Sequence, residues 1–256
     1  MPPSYSQVVT TLRSAGCVFA EDEARLLLST ARTPAELAAM VDRRAAGRPL
    51  EHVLGWAGFS GLRIAVEPGV FVPRRRTEFL VRRALALAPA APVVVDLCCG
   101  SGAVGAALAA SLPGAELHAA DIDPVAVRCA RRNLGVRGRV HRGDLFEALP
   151  GGLRGRVGVL AANVPYVPTG EVGLLPPEAR DHEPLVALDG GGDGLDVLRR
   201  VAAEAPRWLA PGGGLLVETS ERQADLAVGI FADAGLTPRH EVSEELCANV
   251  VTGVRR

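Results

Sequence analysis

The sequence predicts an α/β protein: a doubly wound, mostly parallel sheet with a small helical unit at its N-terminal end. Three observations predict it. From Val93 onward, short β-branched or apolar runs alternate with helical patterns, as in a parallel sheet covered on both faces. The first four runs finish at polar groups, Asp96, Asp121, Asp144 and Asn163, which such a sheet gathers along its carboxyl edge. Before residue 47 the apolar spacing is only helical.

The elements follow in order. Residues 5–46 read as three short helices, marked by Val8, Val9 and Leu12, then Ala24, Leu27 and Leu28, then Leu37, Met40 and Val41. Pro34 opens the third at a first-turn position, and Gly47 ends the unit. Residues 57–66 suggest a hairpin turning at Ser60-Gly61. A helix over 77–88 has Thr77 as its expected N-cap. Strands are expected at 92–97, 116–120, 139–142, 157–162 and 213–219, with helices at 102–111, 124–134, 194–209 and 221–234. Strands at 237–242 and 247–254 have no helical pattern between them and should form an antiparallel hairpin at one edge. Residues 167–193 form a long loop rich in Pro, Gly and acids, read as either a solvated surface loop or a substrate lid. The expected organisation is a helical domain over 1–50, a linker with a hairpin over 51–76, and the sheet domain over 77–256.

Composition narrows the function. The chain has 256 residues, 48% of them apolar, and a formal charge of −1, which argues against a general nucleic-acid binder. All 28 basic residues are Arg. Without Lys there is no Schiff-base cofactor, no P-loop and no Lys general base. The five cysteines show no C-x-x-C and no His at zinc-ligand spacing, so no metal is expected. Cys98-Cys99 read as small buried fillers rather than a redox pair. No basic region followed by an apolar core opens the chain, and no apolar run could span a membrane. A cytoplasmic location is expected. His118 and His141 read as packing residues in strands. Arg74-Arg75-Arg76 opposes the macrodipole of the helix that follows; it reads as a solvated face, with an anionic partner as the alternative.

The chemistry concentrates in two motifs. Gly100, Gly102 and Gly105 satisfy G-x-G-x-x-G between a strand and a helix, letting the backbone turn sharply and approach a ligand. Asp121 lies roughly 20 residues farther on, where a carboxylate can accept from both ribose hydroxyls. Asn163-Val164-Pro165-Tyr166 ends the fourth strand. The Asn163 side-chain oxygen and the Val164 carbonyl can both accept from one planar NH2 group, and Tyr166 can lie against the group that carries it. Alone, the tetrapeptide reads as a proline turn; the ordered series of strand-end groups reverses that reading.

These residues resemble a known family. The chain looks like the class I methyltransferases that use S-adenosylmethionine, and more narrowly like the protein-(glutamine-N5) methyltransferases of the HemK/PrmC type, which modify the Gly-Gly-Gln loop of peptide-chain release factors. Gly47-Arg48-Pro49-Leu50-Glu51-His52-Val53-Leu54-Gly55 matches the family's linker. Pro73-Arg74 with Thr77-Glu78 resembles its P-R-P-x-T-E motif, Gly143 to Leu149 its G-D-L-F-x-x-L, and Asn163 to Tyr166 its N-P-P-Y. Glu183-Pro184, Asp193-Gly194-Leu195 and Pro211-Gly212-Gly213 match the C-terminal half.

The resemblance implies a seven-stranded sheet and an N-terminal domain that recognises substrate. It implies S-adenosylmethionine as cofactor and S-adenosylhomocysteine as product. Gly100 and Gly102 would accommodate the methionine part, Asp96 its amino group, Asp121 the ribose, and Asp144 with Leu145 the adenine edge. Glu78 would reach cofactor or substrate from the preceding helix. Asn163, Val164, Pro165 and Tyr166 would hold the acceptor amide, with Asn163 also bordering the cofactor. The implied partner is a protein substrate of the release-factor type, met by a monomer with no membrane or direct nucleic-acid contact. Three departures point to a paralogue: Val164 for the motif's first proline, Arg75-Arg76 for a proline and an acid, and Cys98-Cys99 in the glycine loop. Competing readings are methylation of another planar amine (adenine or a small molecule) and a cofactor-binding paralogue without catalysis. A dehydrogenase, read from the glycines alone, is disfavoured by Asp96 before them and Asn163 at the strand end.

Overall fold

The structure, a computed structural model, describes residues 3–256; Met1 and Pro2, the first residues of the expected helical domain and of the segment expected to hold no signal peptide, lie outside them. The chain opens with α1 (Tyr5–Ser14), α2 (Ala20–Thr30), α3 (Pro34–Ala45) and α4 (Leu50–Leu54). Ser4 and Gln7 close a reciprocal capping box on α1, and the Thr33 hydroxyl accepts from Glu36 N–H to start α3 beside Pro34. Val8, Leu12, Leu27, Leu37, Met40 and Val53 bury their side chains together. Val53 belongs to α4, so the expected boundary after residue 50 cuts a helix that packs with the first three.

β1 (Trp56–Phe59) and β2 (Leu62–Ala65) form the expected hairpin. Ser60 and Gly61 both have positive φ, the geometry of a tight two-residue turn that follows strand twist. The Asn133 side chain bonds both the N–H and the C=O of Ala65, docking the hairpin on the sheet domain.

The sheet domain runs α5 (Glu78–Leu87), β3 (Val93–Leu97), α6 (Ala103–Ser111), β4 (Glu116–Asp121), α7 (Pro124–Leu134), β5 (Arg139–Arg142), β6 (Val157–Ala162), α8 (Pro177–His182), α9 (Asp196–Trp208), β7 (Leu209–Thr219), α10 (Ala224–Asp233), β8 (Thr237–Ser243) and β9 (Ala248–Val254). Thr77 stands at the N-cap position of α5, as expected, but its side chain caps no backbone group among the described residues. The chain enters through one tight turn over Arg75–Thr77, so Thr77 is already helical and its hydroxyl is buried without a partner.

The seven strands order as β5-β4-β3-β6-β7-β9-β8. The first five in chain order, β3 to β7, pair parallel with one another, and β9 runs antiparallel to both β7 and β8. The doubly wound, mostly parallel sheet and its edge hairpin are as expected. Successive residues of β6 serve opposite faces: Leu160 and Ala162 pack with Trp208 of α9 and Phe231 of α10, while Val159 and Ala161 pack with Leu80 of α5 and Leu108 of α6. The winding reverses between β3 and β6. A crevice opens there at the strands' carboxyl ends.

Candidate active site

Leu97 of β3 lies beside Ala162 of β6, so the loops starting at Cys98 and Asn163 leave the sheet side by side. Between them lies a cavity of about 570 Å³. Asp96, Cys98, Gly100, Asp121, Asp144 and Leu145 line one part of it, and Asn163 to Tyr166 line another.

Asp96 is 1% exposed. Its Oδ2 accepts from Gly105 N–H at 2.8 Å, and no cation pairs with it among the described residues. Burial pushes its pKa up to about 7, with the Gly105 bond pulling the other way and the Asp121 charge adding to the rise. A buried carboxyl at the edge of a cavity, lacking a counter-ion, suits a cationic amino group. Asp121 is held by two backbone donors, Gly100 N–H on Oδ2 (2.8 Å) and Asp123 N–H on Oδ1 (2.9 Å). Burial raises its pKa too. Each oxygen keeps a lone pair for a hydroxyl donor, and half-exposed Ile122 adds an apolar face beside it. These features fit the ammonium and ribose of S-adenosylmethionine.

Asp144 is committed to an ion pair with Arg200 of α9 (2.6 Å), through Oδ2. Arg200 also lines the cavity and had no signal in the sequence. Cys98 and Leu145, which flank the cavity, both hold positive φ without being glycine. Backbone strain of this kind concentrates at functional sites. Cys98 and Cys99 are free thiols whose pKa values burial pushes up, as fits fillers rather than a redox pair.

Two expected ligands sit elsewhere. Glu78 does not border the cavity; its Oε1 accepts from Ser60 N–H at 2.9 Å and ties α5 to the hairpin. Gly102 lies behind the lining. Its φ is +76°, and a Cβ there would stand 3.1 Å from Ala130 Cβ, so it permits close packing of α6 against α7. Gly100, with φ +53°, does line the cavity.

On the acceptor side, the Asn163 carboxamide makes no hydrogen bond within the described residues. Val164 buries its side chain in the core, and its N–H donates to no group among them. Burial raises the Tyr166 pKa. Its hydroxyl accepts from Arg76 Nη2 (2.6 Å) and donates to Glu218 Oε1 (3.4 Å). The Tyr166 carbonyl accepts from Gln223 Nε2 at 3.0 Å. Glu218 was missed, although it is a strand-end acid of the same kind as Asp96 and Asp121.

The arginine run is not an open basic face. Arg74 pairs with Glu183 and Arg76 with Glu218, both buried acids, and only Arg75 is exposed. The 167–193 segment folds over the cavity. Val167 and Leu188 bond at its base, and Leu175, Pro176, Ala179 and Pro184 line the site. Glu183 accepts from Val72 N–H as well as Arg74, stapling this cover to the segment before α5. No helix among the described residues is long and apolar enough to cross a membrane, and no cluster of three or more His, Cys, Asp or Glu could hold a metal.

Comparison with known proteins adds relatives. The methyltransferase small domain model matches residues 61–166. The chain is 42% identical over 208 residues to the release factor glutamine methyltransferase of Geobacter sulfurreducens, across 79% of this chain and 72% of that one. It is 38% identical over 203 residues to the 4-amino-L-phenylalanine/4-methylamino-L-phenylalanine methyltransferase of Streptomyces pristinaespiralis, across 76% and 69% of the two chains. A solved methyltransferase structure from Pyrococcus furiosus shares the fold, with a TM-score of 0.58 at 16% identity over 76% of this chain and 89% of that one.

Proposed function

The chain belongs to the release factor glutamine methyltransferase family, and on that premise we propose that it methylates the side-chain amide nitrogen of a glutamine in a release-factor-like protein. It is an S-adenosylmethionine-dependent methyltransferase, as its family is. The observation that carries the acceptor assignment is the Asn163 carboxamide, which lines the cavity beside Tyr166 with no hydrogen-bond partner among the described residues.

An amide nitrogen is a weak nucleophile because its lone pair is delocalised into the carbonyl. The bound cofactor supplies a methyl group on a sulfonium, so no covalent nucleophile is needed from the protein. The protein's task is alignment, which can contribute about 7–11 kcal/mol. Asn163 Oδ1 and the Val164 carbonyl accept the two amide hydrogens and favour charge building on nitrogen. Tyr166 walls the acceptor. Asp96 would hold the cofactor's amino group, Asp121 its ribose, and Oδ1 of Asp144, unbonded among the described residues, with Leu145, its adenine edge. The methylated nitrogen sheds its proton to solvent, so no His or Lys base is required. The reaction takes place in the cytoplasm, where free thiols stay reduced.

A second reading takes a small aromatic amine as acceptor. Val164 in the motif and the activity for which the Streptomyces pristinaespiralis relative is named favour it. One experiment separates the two. Purified protein is incubated with methyl-labelled cofactor and either purified release factors or 4-amino-L-phenylalanine, and the products are read by mass spectrometry. Label on a glutamine of the protein is the expected result. Label on the arylamine alone would replace the first reading with the second, and label on neither would reject both.

A further inference from the structure

Tyr166 is gripped at both ends by groups outside its own motif. Gln223 Nε2, just before α10, holds its backbone carbonyl at 3.0 Å. Arg76, just before α5, holds its hydroxyl with Nη2 at 2.6 Å and at the same time donates Nε to Glu218 Oε1 at 2.8 Å. Glu218 sits at the end of β7, and its side chain is 2% exposed. Its Oε2 is buried with no partner, and Arg76 is the one cation paired with it among the described residues. The planar guanidinium thus spans an acid on the sheet and a phenol in the motif, a two-pronged geometry that Lys cannot reproduce.

We propose that Arg76 is a positioning residue that fixes the plane of the Tyr166 ring against the acceptor. The inference rests on the reading of Tyr166 as the wall of the acceptor site. Its physical motive is Val164. A proline there would stiffen the turn from within, because its ring fixes φ. Val leaves φ free. The turn here is held from without: the Val164 side chain is anchored in the core, the Tyr166 carbonyl is bound by Gln223, and the hydroxyl is bound by Arg76. Arg76 lines the same cavity as Asn163, so a ring released from it would swing within the acceptor space. A small displacement there costs alignment rather than binding.

The test is a double-mutant cycle with a spectroscopic arm. Arg76→Lys keeps a cation opposite Glu218 and loses the fork. Tyr166→Phe keeps the ring and the Arg76–Glu218 pair and loses the hydroxyl. Each should lower kcat by about tenfold or more while cofactor affinity, measured by calorimetry, stays within about twofold. In the Tyr166→Phe background, Arg76→Lys should add almost nothing, because the bond it breaks is already gone. Equal losses in both backgrounds would overturn the proposal, and so would full activity of Tyr166→Phe. The chain has two tyrosines, Tyr5 and Tyr166, so ring-labelled tyrosine gives two resonances. Arg76→Lys should move the Tyr166 resonance and leave the Tyr5 resonance in place. An unmoved pair would sink the clamp whatever the activity. If the wild-type protein methylates neither a release factor nor an arylamine, the functional reading has failed, and the resonances alone decide the clamp.

Discussion

Asp96 carries the clearest electrostatic signature in the molecule. Burial pushes its carboxyl pKa up to about 7 in the folded chain, against an ordinary 3.8. A raised folded pKa means the fold prefers the protonated form. That contribution to stability is complete below 3.8 and is lost as pH rises through 7. A cationic amino group bound beside it requires the ionised form. Binding of S-adenosylmethionine at pH 6 should therefore release a proton, and affinity should rise with pH up to neutrality. Calorimetry in buffers of different ionisation heats measures this directly. Asp96→Asn should weaken binding and abolish that proton release; a release that persists would assign it to another group, Asp121 first. Asn163 tests the other side of the cavity. Asn163→Ala should reduce methyl transfer by about a hundredfold or more, since one aligned acceptor is lost. Cofactor affinity should be nearly intact. Undiminished transfer would falsify the acceptor role and leave the tetrapeptide as a turn. Both residues were legible in the sequence because each ends a β-branched or apolar run, where an open sheet presents its ligands. Arg200 was not, and Arg76 was read only as part of a solvated or anion-binding run. Their partners, Asp144 and Glu218, lie 56 and 142 positions away in the chain.

At the scale of the element, the turn leaving β6 is the most testable. Among the described residues the Val164 N–H makes no hydrogen bond that a proline would remove, and the carbonyl is kept. Val164→Pro should therefore fold with little change in melting temperature and keep or raise activity on a glutamine acceptor. A fall in activity on the native substrate would mean that Val164 serves a different acceptor. The elements most accurately read were those with local signals. Asp123 and Pro124 start α7 and Gly135 follows its end, so that helix lies where expected. The hairpin turn at Ser60-Gly61 is equally local. α4 has five residues, too few to show a period, and was absorbed into a linker. α5 starts where expected, but the tight turn over Arg75–Thr77 gives Thr77 helical dihedrals, so its hydroxyl does not cap the helix. The fold of the 167–193 cover was invisible for another reason. It depends on Val167 meeting Leu188 and Glu183 meeting Arg74, contacts that only the tertiary structure creates.

Across the whole molecule, one side chain joins the helical unit to the cover over the cavity. Arg44 of α3, with a side chain 7% exposed, pairs with the buried Glu23 of α2 (2.6 Å) and with Glu178 of α8 (2.7 Å). The two bonds differ in kind. The Glu23 bond is internal to the helical unit and desolvated, so Arg44→Ala leaves a buried carboxylate uncompensated, a loss of about 3–5 kcal/mol. Glu178 is nearly half exposed, so Glu178→Ala should cost only about 0–1 kcal/mol. What Glu178 does provide is a fixed relation between the cover and the helices. If the helical unit presents the protein substrate, that relation sets how the glutamine enters the cavity. Glu178→Ala should then leave the melting temperature and cofactor affinity close to wild type, because Asp96 and Asp121 stand on the sheet. It should raise the acceptor KM for an intact release factor and spare that for a short peptide or an arylamine, which needs no contact with the helices. Steady-state kinetics on the protein and peptide acceptors, run beside thermal melts of both variants, check each part. An equal rise in KM for large and small acceptors would place the effect in the cavity wall instead. An unchanged KM for both would mean that the Arg44–Glu178 bond joins two elements without coupling them.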